Sequence, residues 1–165
     1  MSTSSKSPYI ATSDRLADVI AAIQATGVYR FHMRSFDGWA ESISGDASMG
    51  AYWRRIFEEH PEFFRLDTSK QFASLVWRRQ FPKRFHVDRE QLLSKEECEA
   101  LPPQEEERLS RAPLLPSDIK TLIDAAINLH SRAVELQLES RWWIPLASSA
   151  VGGLIGATLG ALIRH

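Results

Sequence analysis

Histidine and cysteine are the side chains here that most readily catalyse reactions or bind metal ions, and their spacing favours neither role. No two histidines have the HxxxH or HExxH spacing with which a helix binds zinc, and Cys98 has no CxxC partner. The sequence before residue 142 also lacks a glycine-rich phosphate loop. We therefore predict that the protein is not an enzyme and holds no metal or other cofactor. The five histidines are His32, His60, His86, His130 and His165.

Basic side chains offer a different chemistry, the binding of phosphate groups. The densest basic cluster is the stretch WRRQFPKRF, from Trp77 to Phe85, in which basic and aromatic residues are interleaved. Such a mixture can hold a nucleic-acid backbone or face anionic lipid headgroups, or it can be a solvated strand end whose aromatic residues belong to the core. The predicted binding face comprises Arg54, Arg55, Lys70, Arg78, Arg79, Lys83 and Arg84.

Charge is distributed unevenly along the chain. Residues 1–89 contain 13 Lys and Arg against 10 Asp and Glu, whereas residues 90–141 contain 6 against 11. The resulting net charge of +3 in the first part is low for a DNA-binding protein, which usually has a strongly basic face. We therefore predict a protein partner, with DNA as the alternative.

The elements that position the basic residues must lie in residues 13–87, after a disordered lead over 1–12. Apolar periodicity predicts three helices, and VYRFHMR (28–34) alternates as a short strand would. The runs EFFRLD and FASLVWRR, separated by a polar turn at 68–71, predict a β-hairpin. The predicted inward residues of the helices are Leu16, Val19, Ile20 and Ile23, then Phe36, Trp39, Ala40 and Ile43, then Tyr52, Trp53, Ile56 and Phe57.

The order helix, strand, helix, helix, strand, strand resembles the winged helix-turn-helix superfamily. The resemblance is one of topology over residues 13–87, without a motif that identifies one family. It implies an α+β domain of three helices with a β-hairpin wing, in which the third helix and the wing contact DNA. Many winged helices bind proteins instead, and the two glutamates Glu58 and Glu59 on the third helix favour that alternative.

Two segments are predicted to follow this domain. Residues 88–116 are expected to form a mostly extended acidic linker, because four prolines interrupt any long helix there. Residues 117–141 are expected to form an amphipathic stalk helix, whose apolar stripe could pack on the domain or on other copies of the chain. The predicted stalk packing residues are Ile119, Leu122, Ala126, Leu129, Ala133 and Leu136.

Residues 142–163 contain no charged side chain, and Arg141 and Arg164 flank them. A membrane-spanning helix needs about 20 apolar residues. The sequence therefore predicts a single transmembrane helix into which the stalk continues. We expect the preceding part to face the cytoplasm, because residues 1–12 do not resemble a signal peptide and the lone Cys98 excludes an internal disulfide.

Small residues recur every fourth position in the predicted span, which would let two helices approach closely. They are Ser148, Gly152, Gly156 and Gly160. Together these features predict a tail-anchored, self-associating adaptor or sensor that presents a winged-helix domain to a protein partner. The alternatives are a membrane-anchored DNA-binding regulatory protein and an oligomeric pore-forming effector.

Overall fold

The computed structural model describes residues 7–10 and 12–139, which form six α-helices and two three-stranded antiparallel sheets. The helices are α1 (Arg15–Val28), α2 (Phe36–Ser44), α3 (Gly50–Glu59), α4 (Lys95–Glu99), α5 (Pro103–Glu106) and α6 (Pro116–Glu139). The strands are β1 (Met33–Ser35), β2 (Phe64–Leu66), β3 (Phe72–Leu75), β4 (Phe85–His86), β5 (Gln91–Leu92) and β6 (Leu109–Ser110). Three short 3-10 helices cover Pro8–Ile10, Ala47–Met49 and Trp77–Gln80.

The bounds of α2 follow from the residues at its two ends. The Ser35 hydroxyl accepts a hydrogen bond from the Gly38 N–H at 3.2 Å, as a helix N-cap does. Gly45 ends the helix in the left-handed conformation, at φ 73°, and its N–H donates to the Glu41 carbonyl at 3.1 Å. With both ends fixed, α2 turns Trp39 into the core.

The predicted hairpin is present, and Asp67 holds its turn. The Asp67 carboxylate accepts hydrogen bonds from the backbone N–H groups of Ser69, Gln71 and Phe72 at 3.0, 2.9 and 2.8 Å. The Ser69 hydroxyl also donates to this carboxylate, and together these bonds lower the pKa of Asp67 to about 2. Lys70, at φ 55°, takes the left-handed position of the turn.

The core lies between the helices and the inner face of the first sheet, whose strand order is β1-β3-β2. Trp39 is fully buried, and its Nε1–H donates to the Ala73 carbonyl at 2.9 Å. The rings of Phe57 and Phe64 meet edge to face with their centroids 4.8 Å apart. The predicted inward positions of Trp39, Ile56 and Phe57 are confirmed, whereas the inward position predicted for Tyr52 is wrong, because this residue is 41% exposed.

Helix α6 packs back against α1 and the Pro8–Ile10 turn. The buried residues of α6 belong to the same core as Trp39, so most of its apolar stripe packs within the chain. Of the six predicted stalk residues, Leu122, Ala126 and Ala133 are buried, Ile119 is partly buried, and Leu129 and Leu136 are exposed.

The predicted fold class needs correction over residues 88–116, which are folded and do not form an extended linker. They contain β5, α4, α5 and β6, and the second sheet has the strand order β5-β4-β6. The prolines do not disrupt this arrangement, because Pro103 and Pro116 occupy the first residues of α5 and α6, where a helix does not need their N–H. The Ser94 capping box starts α4 in the same segment.

The predicted membrane-spanning architecture also needs correction. Among the residues described, no helix combines the length and the apolar composition that crossing a bilayer requires. Helix α6 is described as far as Glu139, and the predicted span at 142–163, with Ser148, Gly152, Gly156 and Gly160, lies outside the described residues. The predicted tail-anchored, single-pass topology therefore has no support among the described residues.

Candidate functional site

The outward face of α3 carries two of the predicted binding residues, and both are paired with carboxylates. The Arg54 Nε lies 2.9 Å from Glu58, and the Arg55 Nε lies 2.7 Å from Glu59. Each pair joins one turn of the helix to the next, so this face has little net charge. A polyanion approaching α3 would meet the exposed Glu58 together with the arginines.

Arg78, also predicted to bind, is fully buried and serves the fold. Its Nη1 donates to the carbonyls of Thr26 and Tyr29 at 2.9 and 2.6 Å, and its Nη2 donates to the carbonyl of Arg111. Desolvation by burial, together with the nearby charge of Arg111, lowers the pKa of Arg78 to about 10. Arg78 therefore joins the end of α1 to the segment that follows the second sheet.

Arg111 in turn reaches the surface beside the first sheet. Its Nη1 donates to the carbonyl of Arg79 at 2.7 Å and to that of Phe81. His32 makes a second connection between the two sheets, since its backbone N–H donates to the Ser110 hydroxyl at 2.9 Å. The Nδ1 of the same histidine lies 3.1 Å from that hydroxyl.

These connections complete a cleft of about 520 Å³ on the outer face of the first sheet. Its floor is one row across the sheet, in which Met33 of β1 and Arg65 of β2 both pair with Ser74 of β3. The hairpin turn forms one wall, and the segments containing His32, Arg79 and Arg111 contribute the remainder. We call this the basic cleft; it is lined by His32, Met33, Arg65, Leu66, Asp67, Thr68, Lys70, Ser74, Arg79 and Arg111.

The basic cleft carries four cations whose charge is not neutralised by an ion pair. Within residues 7–10 and 12–139, Arg65, Lys70, Arg79 and Arg111 form no salt bridge with a carboxylate. The carboxylate in the lining belongs to Asp67, whose oxygens already accept the hydrogen bonds of the turn. The cleft therefore presents an excess of positive charge to a ligand.

Two of these cations, Arg79 and Arg111, contribute to the positive field at His32. Desolvation by burial and the nearby charges, of which Arg111 is the largest contributor, lower the pKa of His32 to about 4. The imidazole is therefore neutral at physiological pH and can accept or donate a hydrogen bond within the cleft. An anion in the cleft would oppose this field and raise the pKa of His32.

The last two predicted binding residues, Lys83 and Arg84, lie outside the lining of the basic cleft. Lys83 is exposed and adds to the positive field at His32, although it does not line the basic cleft. Arg84 is half-buried, and its carbonyl accepts from the Leu93 N–H at 2.9 Å beside the second sheet. Of the seven predicted residues, the structure brings Lys70 and Arg79 together in the cleft, while Arg65 and Arg111 were missed.

A second polar cluster holds the fold together at the end of α3. The Tyr9 hydroxyl donates to Glu62 Oε1 at 2.6 Å, and His60 Nδ1 lies 3.1 Å from the same oxygen. Burial alone would raise the pKa of Glu62, but these hydrogen bonds lower it below its usual value. The cluster fixes the Pro8–Ile10 turn against the residues after α3.

Metal binding has no candidate in the described part of the chain, where no group of three or more His, Cys, Asp or Glu side chains is placed to hold an ion. Cys98 is a free, half-buried thiol in α4.

The resemblance to winged helix-turn-helix proteins stays a prediction. Comparisons with protein-family models, curated proteins and solved structures found no significant match to this chain.

Proposed function

We propose that this protein is a non-catalytic module that binds nucleic acid through its phosphate backbone at the basic cleft. The observation that supports the proposal is the set of four cations without ion pairs, Arg65, Lys70, Arg79 and Arg111, around one cleft. When such cationic side chains bind phosphates, the release of counterions from the nucleic acid supplies most of the driving force. The hydroxyls of Thr68 and Ser74, also in the lining, are further phosphate ligands.

This mode of binding predicts a strong dependence on salt. Four phosphate contacts give a slope of about −2.8 for log affinity against log salt on a single strand, and about −3.6 on a duplex. Raising the salt concentration from 50 to 200 mM should therefore weaken binding by about 50- to 150-fold. Fluorescence anisotropy with a labelled oligonucleotide of random sequence would measure both the affinity and the slope.

Two matched double variants distinguish the basic cleft from α3. Replacing Arg65 and Lys70 with serine should weaken binding at low salt and reduce the slope by about 1.4 to 1.8, because two phosphate contacts are lost. Replacing Arg54 and Arg55 with serine removes the same number of cations from α3 and should change the slope little. Equal effects of the two double variants, or no binding by the wild type at low salt, would refute the proposal.

Self-association is the second candidate function, and two exposed leucines of α6 favour it. Leu129 and Leu136, two turns apart on one side of the helix, remain 37% and 66% exposed after α6 has packed on α1. A second copy of the chain could cover these two leucines. Sedimentation of the full chain over a range of concentrations would detect a dimer, and Leu136→Glu should abolish it, whereas Leu92→Glu on β5 should not.

A further inference from the structure

We propose that the nucleic acid bound at the basic cleft is single-stranded, and that one of its bases stacks on Phe72. This inference rests on the proposed function and specifies its ligand. It depends on the position of Phe72 beside the cleft, on the shape of the cationic surface, and on the neutral charge of α3.

Phe72 lies on the same face of the first sheet as the floor of the basic cleft. It precedes Ser74 by two residues in β3, so the two side chains project on the same side, about 7 Å apart along the strand. Its partner across the ladder is Ser35, whose side chain is small. Phe72 is 39% exposed, and its backbone N–H donates to the Asp67 carboxylate at 2.8 Å, so the hairpin turn fixes the backbone at this position.

A single strand can contact the cations of the basic cleft and the ring of Phe72 at the same time. Its phosphates can enter the cleft while an unpaired base turns toward Phe72, since every base has a face that stacks on an aromatic ring. Met33, 41% exposed on the cleft floor, adds a second apolar contact for a base or sugar. In an intact duplex the bases are already stacked inside, so that Phe72 and Met33 would gain no base to contact.

The arrangement of charge also disfavours a duplex. A protein that reads duplex DNA presents a helix to the major groove and flanks it with phosphate contacts. The outward cations of α3 are instead paired with Glu58 and Glu59. The unpaired cations line a concavity of about 520 Å³, which suits a flexible single strand better than the broad convex surface of a duplex.

The experiment compares three ligands of equal length at one low salt concentration: oligo-dT, an abasic strand with the same number of phosphates, and a duplex. Fluorescence anisotropy with the full chain should give the tightest binding to oligo-dT. The abasic strand should bind about 5- to 150-fold more weakly, the loss expected for one stacked base. Phe72→Ser should weaken oligo-dT binding by a similar factor and leave abasic binding unchanged.

Trp77→Ser is the matched control, because Trp77 is similarly exposed, at 38%, but belongs to the 3-10 helix after the sheet. It should preserve the preference for oligo-dT over the abasic strand. Phe72→Leu keeps an apolar side chain without a ring and should behave as Phe72→Ser does, which separates stacking from a general loss of apolar surface. Equal affinity of the wild type for all three ligands, with the salt slope retained, would overturn stacking while leaving the proposed function intact. If no ligand binds at low salt, the proposed function fails as well.

Discussion

Replacing Arg78 with methionine tests the conclusion that this arginine stabilises the fold and does not bind a ligand. The side chain is fully buried and donates charge-assisted hydrogen bonds to the carbonyls of Thr26, Tyr29 and Arg111. Each such bond is worth about 1.5–3 kcal/mol. Burying the guanidinium costs several kcal/mol, which the variant recovers. The net loss in the free energy of unfolding should therefore be about 2–4 kcal/mol.

Urea denaturation of the full chain at pH 7, followed by tryptophan fluorescence, measures this loss directly. With a denaturant slope of about 2 kcal/mol per molar urea, the midpoint should fall by roughly 1–2 M. Arg79→Met is the matched control, because Arg79 is the next residue along the chain but is exposed in the basic cleft. Its effect on stability should stay within about 0.5 kcal/mol. If both variants unfold at the wild-type midpoint, the structural role of Arg78 is wrong.

Three further predictions concern stability. Trp39→Ala should lower the free energy of unfolding by about 3–5 kcal/mol, because the ring is fully buried, whereas Trp77→Ala at an exposed position should cost much less; thermal melts followed by circular dichroism compare them. The folded pKa of His32 is about 4, below its ordinary value of 6.5, so the unfolded chain binds the proton more readily and stability should fall as the pH drops from 6.5 to 4. His32→Gln should flatten this part of a plot of melting temperature against pH, and an unchanged plot would contradict the assignment. The contribution of the Asp67 carboxylate should be present above pH 3.8 and lost as the pH falls toward 2, so Asp67→Ala should destabilise the hairpin at pH 7 and remove that acid-dependent loss from the same plot.

The helices and the hairpin of the first half could be predicted because their signals are local. A cap at Ser35, a left-handed glycine at Gly45 and the apolar spacing around Trp39 each act within a few residues. The second sheet could not be predicted in this way. Its strands have two residues each, too few to show a period, and β4 pairs with residues 109–110, more than 20 positions away.

The basic cleft shows the same limit of sequence reasoning. Lys70 and Arg79 were found because they are basic residues near a predicted hairpin. Arg111 lies in a segment expected to be an extended linker, and it reaches the cleft through contacts between the two sheets. Arginine is seldom buried, so the sequence places Arg78 at the surface. The carbonyls that hold it belong to the end of α1, which is distant in the sequence, so no local pattern indicates its burial.

The connection of the two sheets through Arg78 and His32 means that the basic cleft is complete only while both sheets are docked. If the second sheet separates transiently, Arg111 leaves with it and the cleft loses one of its four cations. A bound polyanion would then stabilise the docked state, because its binding free energy adds to the free energy needed to separate the two sheets. Amide hydrogens of β4 and β6, which do not touch the ligand, would consequently exchange with solvent more slowly when nucleic acid is bound.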